Sequence, residues 1–432
     1  MNVKTLPAAD GLRLVLNPKD ILAHFKNWDA EHGRRYRLSV LGTKMVVFGD
    51  PAAVHQILRD RPAQFKRMSA IESVFAEMGI GGLFSVEGAE WKRRRRLVTP
   101  AFNPGALRGF GGTLDLITER LRQRWQREPQ DVHADLMRYT LDVMANIAFG
   151  YDLNTLEGGG DAIEQRLQQL FPALGRRVTA PIPYWRWVKL PADRRLDRAL
   201  ADLRREVGEV IEKARANQGA EPSNFIEAML RAQDGDDPLT ADELYAEALT
   251  VLVAGQDTTA NSIAWLLYHL AQHPHVQQRL RAEVTDGTER TYLDAVIQES
   301  MRVQPVAAFL YLEALEDVVV DGIEIPAGTA VVTAQGRSAA DAANFVDPEQ
   351  FRPERWLPGH TGTHQAKASI PFGTGPRFCP GRNLALLEIE AVVRMVLRDF
   401  EVSIPDGAPA PKEVFTFAAA PEGLVLRLTP VR

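Results

Sequence analysis

The chain's single cysteine, Cys379, sits in the segment Phe372-Gly373-x-Gly375-x-Arg377-x-Cys379-x-Gly381, just ahead of an apolar periodicity that predicts a helix from about Pro380 to Phe400. The glycines permit tight backbone turns, and Pro380 suits a first helical position. A sulfur placed there lies near free backbone N–H groups and the positive end of a helix dipole, both of which favour thiolate over thiol. Such a sulfur is a nucleophile, a metal ligand, or the buried small hydrophobe that a free cysteine most often is. A nucleophile needs a histidine and an orienting acid, and none of the nine histidines lies in a recognisable signature.

Three other groups of residues carry chemical potential. Ala254-Gly255-Gln256-Asp257-Thr258-Thr259 puts a glycine and weak helix formers inside a long helical pattern, a local conflict that marks function or a bend. The Thr258 hydroxyl can bond back to the Ala254 carbonyl and open a polar groove. Glu299 and Arg302, three apart, share a helix face and can pair. Trp91 and Arg95, four apart, share another, while the basic run Lys92-Arg93-Arg94-Arg95-Arg96 cannot all point one way, because successive helical residues rotate by about 100°.

The elements that must hold these residues follow from the pattern of apolar positions. Residues 37–50 predict a hairpin turning at Gly42-Thr43, and Pro51 opens a short helix. Residues 87–273 read as almost wholly helical, interrupted at Gly158-Gly159-Gly160 and over 180–191. The longest helix, Leu239 to His273, follows Asp236-Asp237-Pro238 and is stopped by Pro274. It has Thr240 and Glu243 as a capping box and spans about 45–50 Å. A shorter helix covers Tyr292 to Val303, strands return over 315–334, and 344–364 is irregular.

With 432 residues, length alone suggests about three domains of roughly 150 residues, yet no linker or repeat divides the chain. The expected fold is one large mixed domain, mainly α with a smaller β part (α+β). A net charge of −5, from 51 basic and 56 acidic residues, argues against nucleic acid as a partner. One cysteine excludes internal disulfides and multi-thiolate zinc sites and fits a reducing compartment. No run of 18 or more apolar residues and no leader pattern occurs, so the expectation is a cytoplasmic protein without a membrane anchor.

The cysteine segment resembles the haem-binding loop of the cytochrome P-450 family of haem-thiolate monooxygenases, and every fixed position of that loop is met. Glu299-x-x-Arg302 is similar to the family's Glu-x-x-Arg motif. Pro353-Glu354-Arg355-Trp356 is similar to its Pro-Glu-Arg-Phe segment, with Trp for Phe. The resemblance implies a single haem domain over 1–432 with no fused reductase, and haem b between the long helix and the cysteine helix. Cys379 would be the axial ligand. Phe372, Gly381 and Ala254 would border the haem, with Trp91 and Arg95 on one propionate and Arg377 on the other.

The same resemblance implies a buried structural triad of Glu299, Arg302 and Arg355, with Asp257 and Thr258 delivering protons to dioxygen. Arg93, Arg94 and Arg96 would remain for docking a ferredoxin, itself served by a reductase, or a flavodoxin. The substrate would be a small hydrophobic molecule of fatty acid, terpenoid, steroid or polyketide class. Its pocket walls would include Met68, Ile71, Phe75, Met78, Ile80 and Leu83 of a 68–85 loop, the helix around Val251–Ala254 and the Val306–Leu310 stretch. The protein would act as a monomer, away from membranes. Where many members carry an arginine or histidine after Glu-x-x-Arg, this sequence has Val306 to Leu312, with Tyr311 as the one polar substitute.

Overall fold

The computed structural model describes residues 3–127, 131–158, 162–180, 182–216, 222–232, 237–286, 290–360, 364–415 and 417–431. Gly159 and Gly160 of the glycine break, Pro181 and Asp236 lie outside them. Thr43–Phe48 pairs antiparallel with Arg35–Val40 and parallel with Ala330–Thr333. Leu310–Ala314 and Phe65–Arg67 extend this sheet on one side, and Lys4–Thr5 on the other, to six strands. The hairpin turns through Leu41 and Gly42, φ 49° and 87°, one residue earlier than the sequence suggested, because Val40 pairs directly with Thr43 across a two-residue loop.

From Gly88 to Gln272 the described residues form helices and short 3-10 turns and no strand. The central helix, Ala241–Gln272, runs 32 residues, about 48 Å at 1.5 Å per residue. Its start is fixed by the capping box: the Glu243 amide donates to Thr240 Oγ1 (3.2 Å) and the Thr240 amide to Glu243 Oε2 (2.8 Å). Most of its side chains from Leu244 to Leu270 are buried, as expected of a helix packed on all sides. Val132–Phe149 lies along it. Gly255 leaves room for that approach: a Cβ there would meet Met144 Sδ at 2.1 Å and force the Met144 side chain to move.

Thr291–Val303 and Arg382–Asp399 also pack against the central helix, and one large apolar core surrounds it while the sheet builds two smaller ones. The architecture is thus helix-dominated with a smaller β part. The helix after the cysteine begins at Arg382, with Gly381 as its N-cap, and not at Pro380. Pro380 and Gly381 instead form a turn that aims the Gly381 and Arg382 amides at the sulfur. Among the described residues no helix is long and apolar enough to cross a membrane.

Candidate active site

Glu299, Arg302 and Arg355 form a knot of buried charge. Glu299 Oε2 and Oε1 accept from Arg302 Nε (2.8 Å) and Nη2 (2.9 Å), and Oε1 also accepts from Arg355 Nε (2.9 Å) and the Arg352 amide (2.9 Å). Trp356 Nε1 donates to Oε2 at 2.8 Å, a bond that phenylalanine at this position could not make. Arg302 spends its remaining donors on the carbonyls of Ala339, Pro348 and Gln350, so the irregular chain from 339 to 356 is tied to one helix. Burial raises the Glu299 carboxyl, but the hydrogen bonds and charges of Arg302 and Arg355 and the Arg352 amide override it and leave it lowered.

The cysteine turn is set with similar rigidity. The amides of Gly373, Phe378 and Cys379 donate to Ile370, Gly375 and Phe372 carbonyls at 2.9, 3.1 and 3.0 Å. Gly375 has φ 73°, and a Cβ there would meet the Leu58 carbonyl oxygen at 2.4 Å, so both conformation and space demand glycine. Burial pushes the Cys379 thiol up, and the opposing pull of the Gly381 and Arg382 amides and the Arg95 charge does not overcome it. The N–H groups anticipated from the sequence are in place, yet they do not by themselves make a thiolate. A metal cation bound to the sulfur would do so.

Cys379 borders a cavity with about 1600 Å³ of empty space, counting its mouth. Phe372, Gly381 and Leu384 share its wall with Val251, Ala254 and Thr258 of the central helix. The 68–85 stretch departs from expectation: it is not a loop throughout but contains the helix Ser69–Glu77. Of its six proposed wall residues, Leu83 lines the cavity, whereas Phe75, Met78 and Ile80 are core and Met68 and Ile71 pack against core clusters. Phe84 and Phe417 take their place, with the Phe75 ring tilted against Phe84 at 5.0 Å between centroids. Val306, Ala307 and Leu310 line the cavity. Tyr311, the next residue of a strand, points to the opposite face and packs against the sheet core, so it does not replace the missing cationic contact.

Arg61, Arg67, Arg95 and Arg377 converge on the cavity beside Trp91. The Arg377 guanidinium lies over the Trp91 ring, 4.5 Å from its centroid, and donates to the Val86 carbonyl (2.7 Å) and to Glu87. Glu87 also accepts from Arg61 Nη2 at 3.1 Å. Arg377 Nε and Nη1 and Arg61 Nε are buried without a partner. Burial holds Arg61 and Arg67 below the usual guanidinium range. Anionic oxygens placed among these groups would satisfy the orphaned donors and repay the buried charge. The donor set therefore fits a ligand that is largely apolar, carries carboxylates at one edge and presents a metal to sulfur. Arg61 and Arg67 carried no local signal in the sequence. They reach this edge because Arg67 ends the strand Phe65–Arg67, which the sheet holds against Leu310–Ala314.

On the central helix, Thr258 Oγ1 donates to the Ala254 carbonyl at 2.7 Å, and both residues line the cavity. The Asp257 carboxyl is elsewhere: its oxygens accept from Asn261 Nδ2 (3.2 Å) and the Ala418 amide (3.1 Å), and it does not border the cavity.

Arg93 and Arg94 are not free for a partner, contrary to the expectation from the basic run. Arg93 pairs with Glu90 and Glu243, and Arg94 is buried against Glu90, Glu243, Glu247 and the Gly81 carbonyl. Glu243 of the central helix draws in both guanidiniums, and Glu247 that of Arg94. Lys92 and Arg96 remain exposed.

Comparison with known proteins gives one consistent answer. The family profile described as Cytochrome P450 matches residues 11–427. The mitochondrial 25-hydroxyvitamin D-1 alpha hydroxylase of Homo sapiens is 30% identical, over 86% of this chain and 80% of its own length. A protein named probable cytochrome P450 4s3 of Drosophila melanogaster is 28% identical over 99% and 92%. The crystal structure of the cytochrome P450DA heme domain superposes with a TM-score of 0.88 at 25% identity, covering 100% of this chain and 98% of that one.

Proposed function

The chain belongs to the cytochrome P450 family, and on that premise we propose that the cavity would hold a haem b, with Cys379 supplying its thiolate ligand and Arg61, Arg67, Arg95 and Arg377 receiving its carboxylates. The protein is a haem-thiolate monooxygenase that uses dioxygen, a hydrophobic substrate and electrons from a redox partner. The observation that carries the assignment is the convergence of a rigidly held sulfur and four guanidiniums on one apolar cavity.

When bound, the haem supplies dioxygen activation and the insertion of one oxygen atom, which a thiolate ligand promotes. The chain's own residues bind, orient and move protons. Trp91, Arg95 and Arg377 would hold the carboxylate edge of the group, while Phe372 and Gly381 would border it beside the sulfur. Thr258 presents a hydroxyl in the cavity wall, held by the Ala254 carbonyl; it would give its Oγ1 proton to the substrate dioxygen and recover one from the Asp257 carboxyl, once that carboxyl turns from Asn261 or the Ala418 amide. Val251, Ala254, Val306, Leu310 and Phe417 make the substrate wall apolar, which favours a fatty acid, terpenoid, steroid or polyketide. A ferredoxin with its reductase, or a flavodoxin, supplies the electrons, and Lys92 and Arg96 give it a basic contact. Residues 1–432 act as one haem domain, monomeric and cytoplasmic.

Two outcomes test these roles. Thr258→Ala lowers product formed per NADPH consumed by about tenfold or more, the lost electrons appearing as hydrogen peroxide. Product and peroxide assays with a ferredoxin pair measure this, and unchanged coupling refutes the hydroxyl's role. Arg61→Ala and Arg377→Ala each speed transfer of haem to apomyoglobin by about tenfold or more, since each removes a charged hydrogen-bond donor. Unchanged transfer from both variants would place the carboxylates elsewhere.

A further inference from the structure

Behind the Asp257 carboxyl a hydrogen-bonded chain leads out of the core. Asn261, buried and one turn further along the central helix, donates from Nδ2 to both the backbone carbonyl (2.8 Å) and the carboxyl Oδ1 (3.2 Å) of Asp257. That orientation leaves Asn261 Oδ1 as an acceptor, and His133 Nε2 lies 2.8 Å from it, so this ring nitrogen carries the hydrogen. His133 is the second residue of Val132–Phe149 and is partly exposed. The other carboxyl oxygen accepts from the Ala418 amide, whose segment is pinned in turn. The Ala419 amide donates to the Val306 carbonyl (2.9 Å), and Trp265 Nε1 donates to the Ala419 carbonyl (3.2 Å).

We propose that His133 is a positioning residue for proton delivery: through the Asn261 amide its Nε2–H fixes the direction of the Asp257 carboxyl and couples that acid to an imidazole that meets solvent. The proposal rests on the reading of Asp257 as the acid that resupplies Thr258. An amide does not readily pass a proton along, so His133 and Asn261 act by orientation and charge, not as a wire. With both oxygens held, the carboxyl must release one bond to turn toward Thr258, and the strength of this hold sets how readily it does so.

The charge environment is simple. Burial pushes Asp257 up to about 6, opposed by the Ala418 amide, the His133 charge and the Asn261 hydrogen bond. The central helix contributes neutral Asn261, the 417–419 segment contributes a backbone amide, and the Val132–Phe149 helix contributes His133. On that helix the nearby acids are otherwise engaged, Asp131 capping the Ala134 amide and Asp135 pairing with Arg124 and Arg138.

Infrared titration of the haem-loaded protein tests the proposal directly, with Asp257→Asn assigning the protonated-carboxyl band. In the wild type the band titrates near the raised value of about 6. His133→Gln keeps an N–H donor but loses the charge, and the midpoint rises by about half a unit. His133→Leu loses both, so the midpoint rises and the band also broadens as the carboxyl takes a second orientation. The pH limb of product coupling moves with the midpoint. An unchanged midpoint and band shape in both His133 variants overturn the coupling. Full coupling retained in Asp257→Asn overturns the acid's role, and with it the functional part of the proposal, even where the band has shifted.

Discussion

Cys379→Ser leaves a folded protein whose monooxygenase turnover has fallen by about a thousandfold or more, the scale seen when an essential catalytic group is removed. The substitution is nearly isosteric, and the hydrogen bond that the Cys379 N–H donates to the Phe372 carbonyl and the Gly375 turn do not depend on the sulfur. Packing is therefore retained. What is lost is a soft, electron-rich ligand, because a buried serine hydroxyl has no access to its anion near neutral pH. The chain contains no second thiol to take over the metal. Mass-spectrometric product analysis with an electron-transfer pair, beside a thermal melt, measures the two properties separately. Turnover within tenfold of wild type would show that the sulfur is not the ligand.

Glu299→Ala unfolds the protein or lowers its stability by about 3–5 kcal/mol, because it strands Arg302 and Arg355 as buried cations. Their guanidiniums are almost wholly inaccessible, at 0% and 1% side-chain exposure, so water cannot replace the carboxylate. Trp356 Nε1 and the Arg352 amide lose their acceptor as well. Glu299→Gln keeps an acceptor but not the charge and falls between the two. Urea denaturation followed by circular dichroism measures the difference, and a loss below about 1 kcal/mol for the alanine variant would mean that the knot does not hold the 339–356 segment. Because the folded Glu299 carboxyl is lowered below 4.5, its stabilising contribution is fully present above the unfolded carboxylate range. That contribution disappears as pH falls through the lowered value.

Features written in local spacing were legible in the sequence. The Thr240–Glu243 capping box starts the central helix where it was expected, and the Thr258 bond to Ala254 spans the four residues that helix geometry dictates. Glu299 and Arg302 could be paired from spacing, but Arg355 joins them across more than fifty residues and was accessible through resemblance alone. The arginines show where local reasoning stops. Arg93 and Arg94 look like solvent-facing charge until Glu243 and Glu247 of the central helix draw them in. Arg61 and Arg67 look unremarkable until the sheet brings them beside Arg377.

Side-chain direction was the other limit. Leu310 and Tyr311 are adjacent in the sequence, yet strand alternation sends one to the cavity and the other to the sheet core. Asp257 was identifiable as an acid beside Thr258, but its rotation toward Asn261 and Ala418 depends on a segment 161 residues away.

Thiolate ligation of haem by Cys379 is read from the absorption spectrum of the reduced, CO-bound protein. A strongly red-shifted Soret band is expected in the wild-type protein and is absent from Cys379→Ser. A wild-type band at the position given by histidine-ligated haem would contradict it.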